Sequence, residues 1–553
     1  RMHVARIVGG IGLAGICTAL AQPAGPGAGQ LQPAADPGNS YKLTTTNFTT
    51  ETLAVTNGML AGTGLNNVPP TSILGSNVLV RPITLPEAVA MALQNNYAVQ
   101  IARYNPDIAQ FNLSGSYAVY EPSAQLSYEH SFNSSPGGFD QQGVPLPSTE
   151  VEQDSFNGAL APGVSGYTPL GLRYGFNTFV SGREFSGGGR DGEQFNSGAF
   201  LSLQQPLLRN AWIDNSRANI LINKQRLRIS EWQLRGQLMT TISAVENAYY
   251  DLIRARENIK VQRLALQYNN QLLRENKKRV EVGALAPLDE KQAEAEVARG
   301  VAALLQTEQG YAVALNNLKN LITQDFANWT NVVLDPAETL VAMPASPDLV
   351  ESWQRGLSLR PELQQLKHDL ESQDITLRFL KNQMWPALDL TGSYGHNGLN
   401  TSYGSALDDL TRDKNPRYSY GVVLSIPLGN RRARNDYKAA RASKAQSLLE
   451  YKELEQTIMV GIDNAIKLLK SQFEQVEATR QARLFAQDAL VAEQKKYENG
   501  KSTSFLVLQF QRDLTRSRFE ELAALAEYNK ALAGLATAEG TTLERHSLNL
   551  NVQ

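Results

Sequence analysis

Apolar positions in the stretch Leu238, Ile242, Val245, Tyr249, Leu252 step by four and three, the spacing of a coiled-coil seam on one helix face. Arg256 breaks the next step before Ile259 resumes it. The longest helical run lies later, from Arg431 to Gly540, without an internal proline and rich in Ala, Leu, Gln, Glu, Lys and Arg. It is interrupted once, at Tyr497-Glu-Asn-Gly500-Lys-Ser-Thr-Ser504, where glycine can take the left-handed conformation that ends a helix. The pattern predicts two long helices joined by a tight turn.

The same hairpin occurs earlier at a countable offset. A shift of 217 (500 − 283) places Gly500 on Gly283 and pairs Ile242 with Met459, Val245 with Ile462, Leu252 with Leu469, Ile259 with Val476 and Leu273 with Leu490. Beyond the turn it pairs Tyr311, Leu315 and Leu318 with Tyr528, Leu532 and Leu535. One offset holds on both arms, so the chain is a tandem duplication. From Pro206 to Gly283 is 77 residues (283 − 206), about 115 Å as helix. That is far longer than a globular core needs.

Between the helical parts the period changes to two. Ala124-Gln-Leu126-Ser-Tyr128 and Ala199-Phe-Leu201-Ser-Leu203 alternate apolar with polar residues, separated by a Gly-rich stretch at about 133–195 read as a loop. The second copy repeats this in Leu388-Asp-Leu390-Thr-Gly-Ser-Tyr394 and Tyr418-Ser-Tyr420-Gly-Val422-Val-Leu424. Four strands in two hairpins are expected, each with an apolar face and a face of Ser, Thr, Gln, Asp and Gly. Apolar-out and polar-in alternation is the pattern of an outer-membrane barrel, with tyrosines suited to its girdle. Four strands cannot close a barrel, and an open edge cannot face lipid, so the chain must oligomerise. A further helix begins at Thr84, with Pro86 in its first turn and Glu87 completing a Thr-x-x-Glu capping box.

Composition and charge mostly exclude. The 553 residues exceed what one core supports, so the chain is divided or elongated. A net charge of −2 gives no footprint for nucleic acid. The single cysteine, Cys17, excludes disulfides within the chain and Cys-based zinc sites, and the five histidines are scattered without ligand spacing. No carboxylate pair, phosphate loop or nucleophile–base set is visible, so neither an enzyme nor a cofactor is expected. Residues 1–21 read as a secretory signal, with Arg1 and Arg6, an apolar core from Ile7 to Leu20, and Ala19-Leu20-Ala21 for cleavage. Lipidation at Cys17 is disfavoured by Ile16 before it. Residues 22–81, rich in Pro, Gly, Thr and Asn, read as a disordered extension. No apolar run suits a membrane-spanning helix.

The order helix, strand, loop, strand, long helix, Val-Gly turn, helix, repeated once, resembles the TolC-like outer-membrane efflux proteins. Arg279-Val-Glu-Val-Gly283-Ala-Leu-Ala-Pro-Leu-Asp289 and Lys496-Tyr497-Glu-Asn-Gly500-Lys-Ser-Thr-Ser-Phe505-Leu-Val-Leu-Gln509 are similar to that family's turn signatures, and Trp385 to Tyr394 to the opening of its strand. The resemblance divides the chain into a first repeat at 82–335, a second at 336–545 and a tail at 546–553. It implies an α+β membrane protein, a homotrimer with a twelve-stranded barrel in the outer-membrane lipid, continued by an α-helical barrel through the periplasm. The segment from Asp325 to Arg360 would join a mixed belt around the tunnel.

The resemblance also implies sites. The tips Val282, Gly283, Ala284 and Asn499, Gly500, Lys501 match the turns that receive a periplasmic adaptor, which links the duct to an inner-membrane pump. At the constriction the family pattern presents two aspartates one turn apart; those positions here are Leu506 and Gln509. Asp289 and Tyr497 match an aspartate–tyrosine closing link, while the arginine of a second link is replaced by Ser502. Leu506 has two open readings, an apolar gate that closes by dewetting or coiled-coil core continuing Phe505 and Leu508. The function implied is an exit duct for small molecules or polypeptides. The alternative is a structural or adhesive trimeric coiled-coil surface protein, and a periplasmic adaptor is the third reading.

Overall fold

The structure, a computed structural model, describes residues 79–145, 147–186, 192–412 and 415–548. The expected signal at 1–21, Cys17 and nearly all of the 22–81 extension lie outside the described residues.

Strand β1 (Leu79–Ile83) leads into helices α1 (Leu85–Asn95) and α2 (Tyr97–Ser116). Strands β2 (Ser123–Gln125), β3 (Ser127–Ser135), β4 (Thr149–Asn157), β5 (Gly163–Tyr167), β6 (Arg173–Ser186) and β7 (Gly192–Pro206) follow. Next come the long helix α3 (Asn215–Glu281), its return arm α4 (Pro287–Ile322), β8 (Val332–Pro336), α5 (Leu349–Leu359) and α6 (Pro361–Gln383). The second half runs β9 (Ala387–Asn400), α7 (Tyr403–Thr411), β10 (Pro416–Ser425), α8 (Arg431–Glu498), α9 (Ser504–Glu539) and the short α10 (Thr542–Arg545).

The duplication is explicit in these bounds. The long arms α3 and α8 have 67 and 68 residues, and the return arms α4 and α9 have 36 each. The offset of 217 carries Pro287 and Ile322 onto Ser504 and Glu539, the two ends of α9. Helix α3 begins at Asn215, later than the Pro206 expected from sequence. The chain first turns through Asn210, which has φ 67°, and Asp214 then accepts from the Arg217 amide at 2.8 Å.

The chain divides into two compact units. The helical unit comprises Gln225–Glu371, the chain from Ala445 onward and the described residues up to Phe111. Its seam is the one read from the sequence: Leu238, Ile242, Val245, Tyr249, Leu252 and Ile259 are all buried in one cluster. In the second copy Ile458, Ile462, Leu469 and Val476 take that part. Arg256 breaks the seam because its guanidinium is spent on Glu257 at 3.1 Å and Asp335 at 2.8 Å. That contact ties β8 to α3.

A two-stranded parallel sheet of β1 and β8 sits in this unit and was not anticipated. Residues 79–81 of the expected extension are therefore strand. Tyr249 and Tyr311 hold it, donating to the carbonyls of Ile83 at 3.0 Å and Leu334 at 3.2 Å. Burial pushes the Tyr311 phenol up to about 12. Thr84 caps α1 as expected, accepting from the Glu87 amide at 3.4 Å. The other half of the box is replaced, because the Glu87 carboxylate pairs with Arg81 at 2.6 Å.

The sheet unit comprises Asn112–Lys224 and Ser372–Lys444. Its sheet has eight strands in the order β10-β9-β7-β6-β4-β3, with β5 beside β6 and β2 beside β5. The expected count of four strands is thus corrected. The stretch read as a Gly-rich loop holds β4, β5 and β6, and the partner of β7 is β6 rather than the strand around Leu126. The miss has a physical cause. Thr149-Glu-Val-Glu-Gln-Asp-Ser-Phe-Asn157 has no apolar alternation, and its pairing to both neighbours is carried by the backbone. The expected antiparallel pairing of Leu388–Tyr394 with Tyr418–Leu424 is present in β9 and β10. Helix α7 lies on the sheet, where the Ser197 hydroxyl donates to the Ala406 carbonyl at 2.6 Å.

Candidate functional site: the tips of the two helical hairpins

Both hairpin turns end their long arms the same way. Gly283 has φ 74° and Gly500 φ 68°, values that suit glycine and strain any residue with a Cβ. The Gly283 amide donates to Val280 at 2.9 Å and the Ala284 amide to Arg279 at 2.7 Å. In the second copy Gly500 donates to Tyr497 at 3.0 Å and Lys501 to Lys496 at 2.8 Å. This is the Schellman pattern, and it satisfies the last carbonyls of each arm. Val282 is 79% exposed, and a Cβ built on either glycine meets nothing within 4 Å. The six tip residues therefore lie on open surface in the single chain.

Above the turns, toward the body of the helices, the two repeats pack together. Leu272, Leu490, Tyr497, Val507, Leu508 and Leu514 form one buried cluster. Polar links surround it, those of Tyr497, Ser504 and Arg512 crossing between the repeats. The Tyr497 hydroxyl donates to Asn276 Oδ1 at 2.7 Å, and Asn276 Nδ2 donates to the Asp289 carbonyl at 3.4 Å. The Ser504 hydroxyl donates to Asp289 Oδ1 at 2.7 Å. Arg512 grips Glu296 through two nitrogens, at 2.9 and 2.6 Å, and Arg299 donates to the same carboxylate at 3.0 Å. Bidentate pairing of this kind fixes direction as well as distance. The Arg279 guanidinium lies 4.5 Å from the Tyr497 ring centroid, a cation–π contact. Burial raises the Tyr497 phenol above its usual value.

The expected sites come out unevenly. Asp289 and Tyr497 are brought to one cluster without bonding each other; the asparagine lies between them and takes the tyrosine proton donor, while Ser504 takes the aspartate. Ser502 donates to Glu493, which also pairs with Lys496 at 3.1 Å. Those two contacts, the serine first, hold the Glu493 carboxyl below its usual range. Leu506 is 38% exposed and Gln509 exposed one turn on, with the Leu506 amide donating to the capping Thr503 hydroxyl at 3.4 Å. The reading of Leu506 as core beside Phe505 and Leu508 does not hold for the single chain. Val507 and Leu508 fill that cluster, and Phe505 is 55% exposed.

Asn276, Ser504, Glu296 and Arg512 were missed. A signal existed: Gln262, Asn269 and Asn276 are buried and seven residues apart, so the seam of α3 turns polar toward its tip. Replacing Tyr497 by phenylalanine should leave the buried Asn276 Oδ1 without a donor, at a cost of about 1–3 kcal/mol. Amide hydrogen exchange around 493–510 should then rise by roughly ten- to a hundredfold. Unchanged protection there would show that the link carries no weight.

The family model described as outer membrane efflux protein matches residues 172–324 and 353–541. Among curated proteins, nodulation protein T of Rhizobium leguminosarum bv. trifolii is 21% identical over 310 residues, 54% of this chain and 63% of that protein. The pyoverdine export outer membrane protein OpmQ of Pseudomonas aeruginosa is 26% identical over 321 residues, 56% of this chain and 65% of its own. The match thus spans less than two thirds of the length of these relatives. The crystal structure of the Campylobacter jejuni outer membrane channel CmeC aligns with a TM-score of 0.60 at 15% identity, over 85% of this chain and 90% of that one. At that identity the likeness is one of fold.

Proposed function

This chain belongs to the outer membrane efflux protein family, and we propose that it works as a homotrimeric exit duct coupled through a periplasmic adaptor to an inner-membrane pump. Its family places it in the cell outer membrane, extending into the periplasm, as a channel and not an enzyme. In the proposed trimer the sheets of three copies close a barrel in lipid, and the helical units enclose a periplasmic tunnel. The cargo is a small molecule or a polypeptide that the pump selects.

One observation carries this reading: two hairpins of matching length, 67 with 36 and 68 with 36 residues, belong to a chain that also holds an open antiparallel sheet with an apolar face. A globular protein has no use for equal rods, and an open sheet edge has no place in lipid until other copies cover it. An adhesive coiled-coil stalk would need neither a second sheet hairpin nor a second helical turn of the same geometry. The open tips at Val282–Ala284 and Asn499–Lys501 are the proposed adaptor contacts. The links around Tyr497, Asn276, Asp289 and Glu296 are the proposed latch of a gate closed by Leu506, with Gln509 one turn behind it.

The test is native mass measurement after extraction of the outer-membrane fraction in a mild detergent. Three chains per particle, released only by detergent, are expected. A stable monomer containing one closed barrel, or quantitative extraction without detergent, would overturn the reading.

A further inference from the structure

One row followed across the sheet shows how many strands share its apolar face. Pairing places Ala124, Val164, Phe176, Leu201, Tyr394 and Tyr418 side by side on one face. One residue along each strand, the row on the other face reads Ser123, Ser165, Gly175, Ser202, Ser393 and Ser419. Every position switches from apolar to small or polar in one step, so the pleat runs without a slip through six strand positions. Strands β2 and β3 together make the outermost position, and β4 with β5 the next, since both β4 and β5 pair with β6. Higher on the same face the row Tyr128, Phe156, Val180 is still apolar, with Val180 buried, and the next rows, His130 with Asp154 and Phe132 with Glu152 and Glu184, turn charged, so the apolar band of the outer positions ends there.

We propose that all six strand positions of each copy enter the barrel wall, so that three copies close eighteen strands (3 × 6) instead of twelve (3 × 4). The surface that closes it is the free edge of β2 and β3, and its partner is the free edge of β10 in the next copy. The proposal rests on the trimeric reading above and adds the strand number to it.

Several observations agree. Strands β6, β7 and β9 have 14, 15 and 14 residues, and Ser123 to Ser135 and Thr149 to Tyr167 run alongside them. All exceed the roughly 9–11 residues that cross an outer membrane. An even number of positions leaves β10 antiparallel to the next β2–β3 edge, which a closed antiparallel barrel requires. The interruption between β4 and β5 is fastened to the sheet: buried Thr178 of β6 donates to the Ala161 carbonyl at 2.7 Å and accepts its amide at 3.3 Å. If β2–β5 left the wall, β6 would lose an edge paired at 173–176 and 179–186, and Val164, Phe156 and Tyr128 would lose their row. The family match begins at residue 172, next to the start of β6, so β2–β5 precede the matched part. Barrel diameter grows roughly linearly with strand number, which makes this mouth about half as wide again as a twelve-stranded one.

Cysteine pairs decide it, introduced in the full chain and oxidised in outer membranes. One cysteine scans Arg417, Ser419, Gly421 and Val423 of β10, and the other stands at Ser127 on the outer edge strand or at Asn177 on β6. Eighteen strands predict disulfide-linked dimers and trimers with the Ser127 series and none with the Asn177 series. Linkage through Asn177 alone would overturn the proposal, because β10 would then meet β6 of the next copy and β2–β5 would lie outside the wall. The trimer fails separately: a particle with the mass of one chain would refute the assembly whichever pair is tested.

Discussion

Replacing Gly283 or Gly500 by tryptophan is expected to abolish export while leaving assembly and outer-membrane location intact. Both glycines close Schellman turns at positive φ, and nothing lies within 4 Å of where a side chain would begin. The new ring would stand on open surface, distant in sequence from the buried seam around Ile242 and Val245. The fold therefore tolerates the bulk, and the proposed adaptor contact at the tips does not. Any residue with a Cβ is strained at these angles, so asparagine, which accepts the left-handed conformation, separates strain from bulk. Gly283→Asn and Gly500→Asn should retain export within about twofold, against its loss in the tryptophan variants. Normal export by both tryptophan variants would remove the docking role, and equal failure of the asparagine variants would assign the loss to the backbone.

Much of the helical unit was legible in advance. The offset of 217 maps the ends of α4 onto those of α9, and the seam from Leu238 to Ile259 is the buried face. Helical period and glycine stops are local signals, so they survive in the sequence. The sheet was legible only where one face is apolar. Leu388–Tyr394 and Tyr418–Leu424 showed themselves by alternation, whereas β4 carries Glu150, Glu152 and Asp154 on the face that holds Phe156, and its strand state depends on pairing at both edges. Pairing between distant segments, such as β1 with β8, leaves no local trace at all. The tip positions Gly283 and Gly500 could be read because positive φ demands a residue type. The link at Tyr497 could not: its partner Asn276 lies 221 residues away and is set by how two helices face each other.

The proposed gate carries the second large effect. Leu506 stands outside the tip's own core, and with Gln509 one turn on, the position that the family pattern gives to two carboxylates has no charge. Three copies of Leu506 would form an apolar ring, which excludes water and so closes without binding cations. A serine in its place wets the ring, whereas losing the Tyr497 hydroxyl only loosens the packing above it. Leu506→Ser is therefore expected to raise the resting conductance severalfold, on the order of ten times, and Tyr497→Phe to raise it less. Single-channel recording of the purified trimer in a planar bilayer measures this directly. The account predicts small discrete steps for the unaltered protein, large steady ones for Leu506→Ser, and no change when a trivalent cation is added on the periplasmic side. Absence of steps from both proteins, or strong block of the unaltered pore by the trivalent cation, would contradict it.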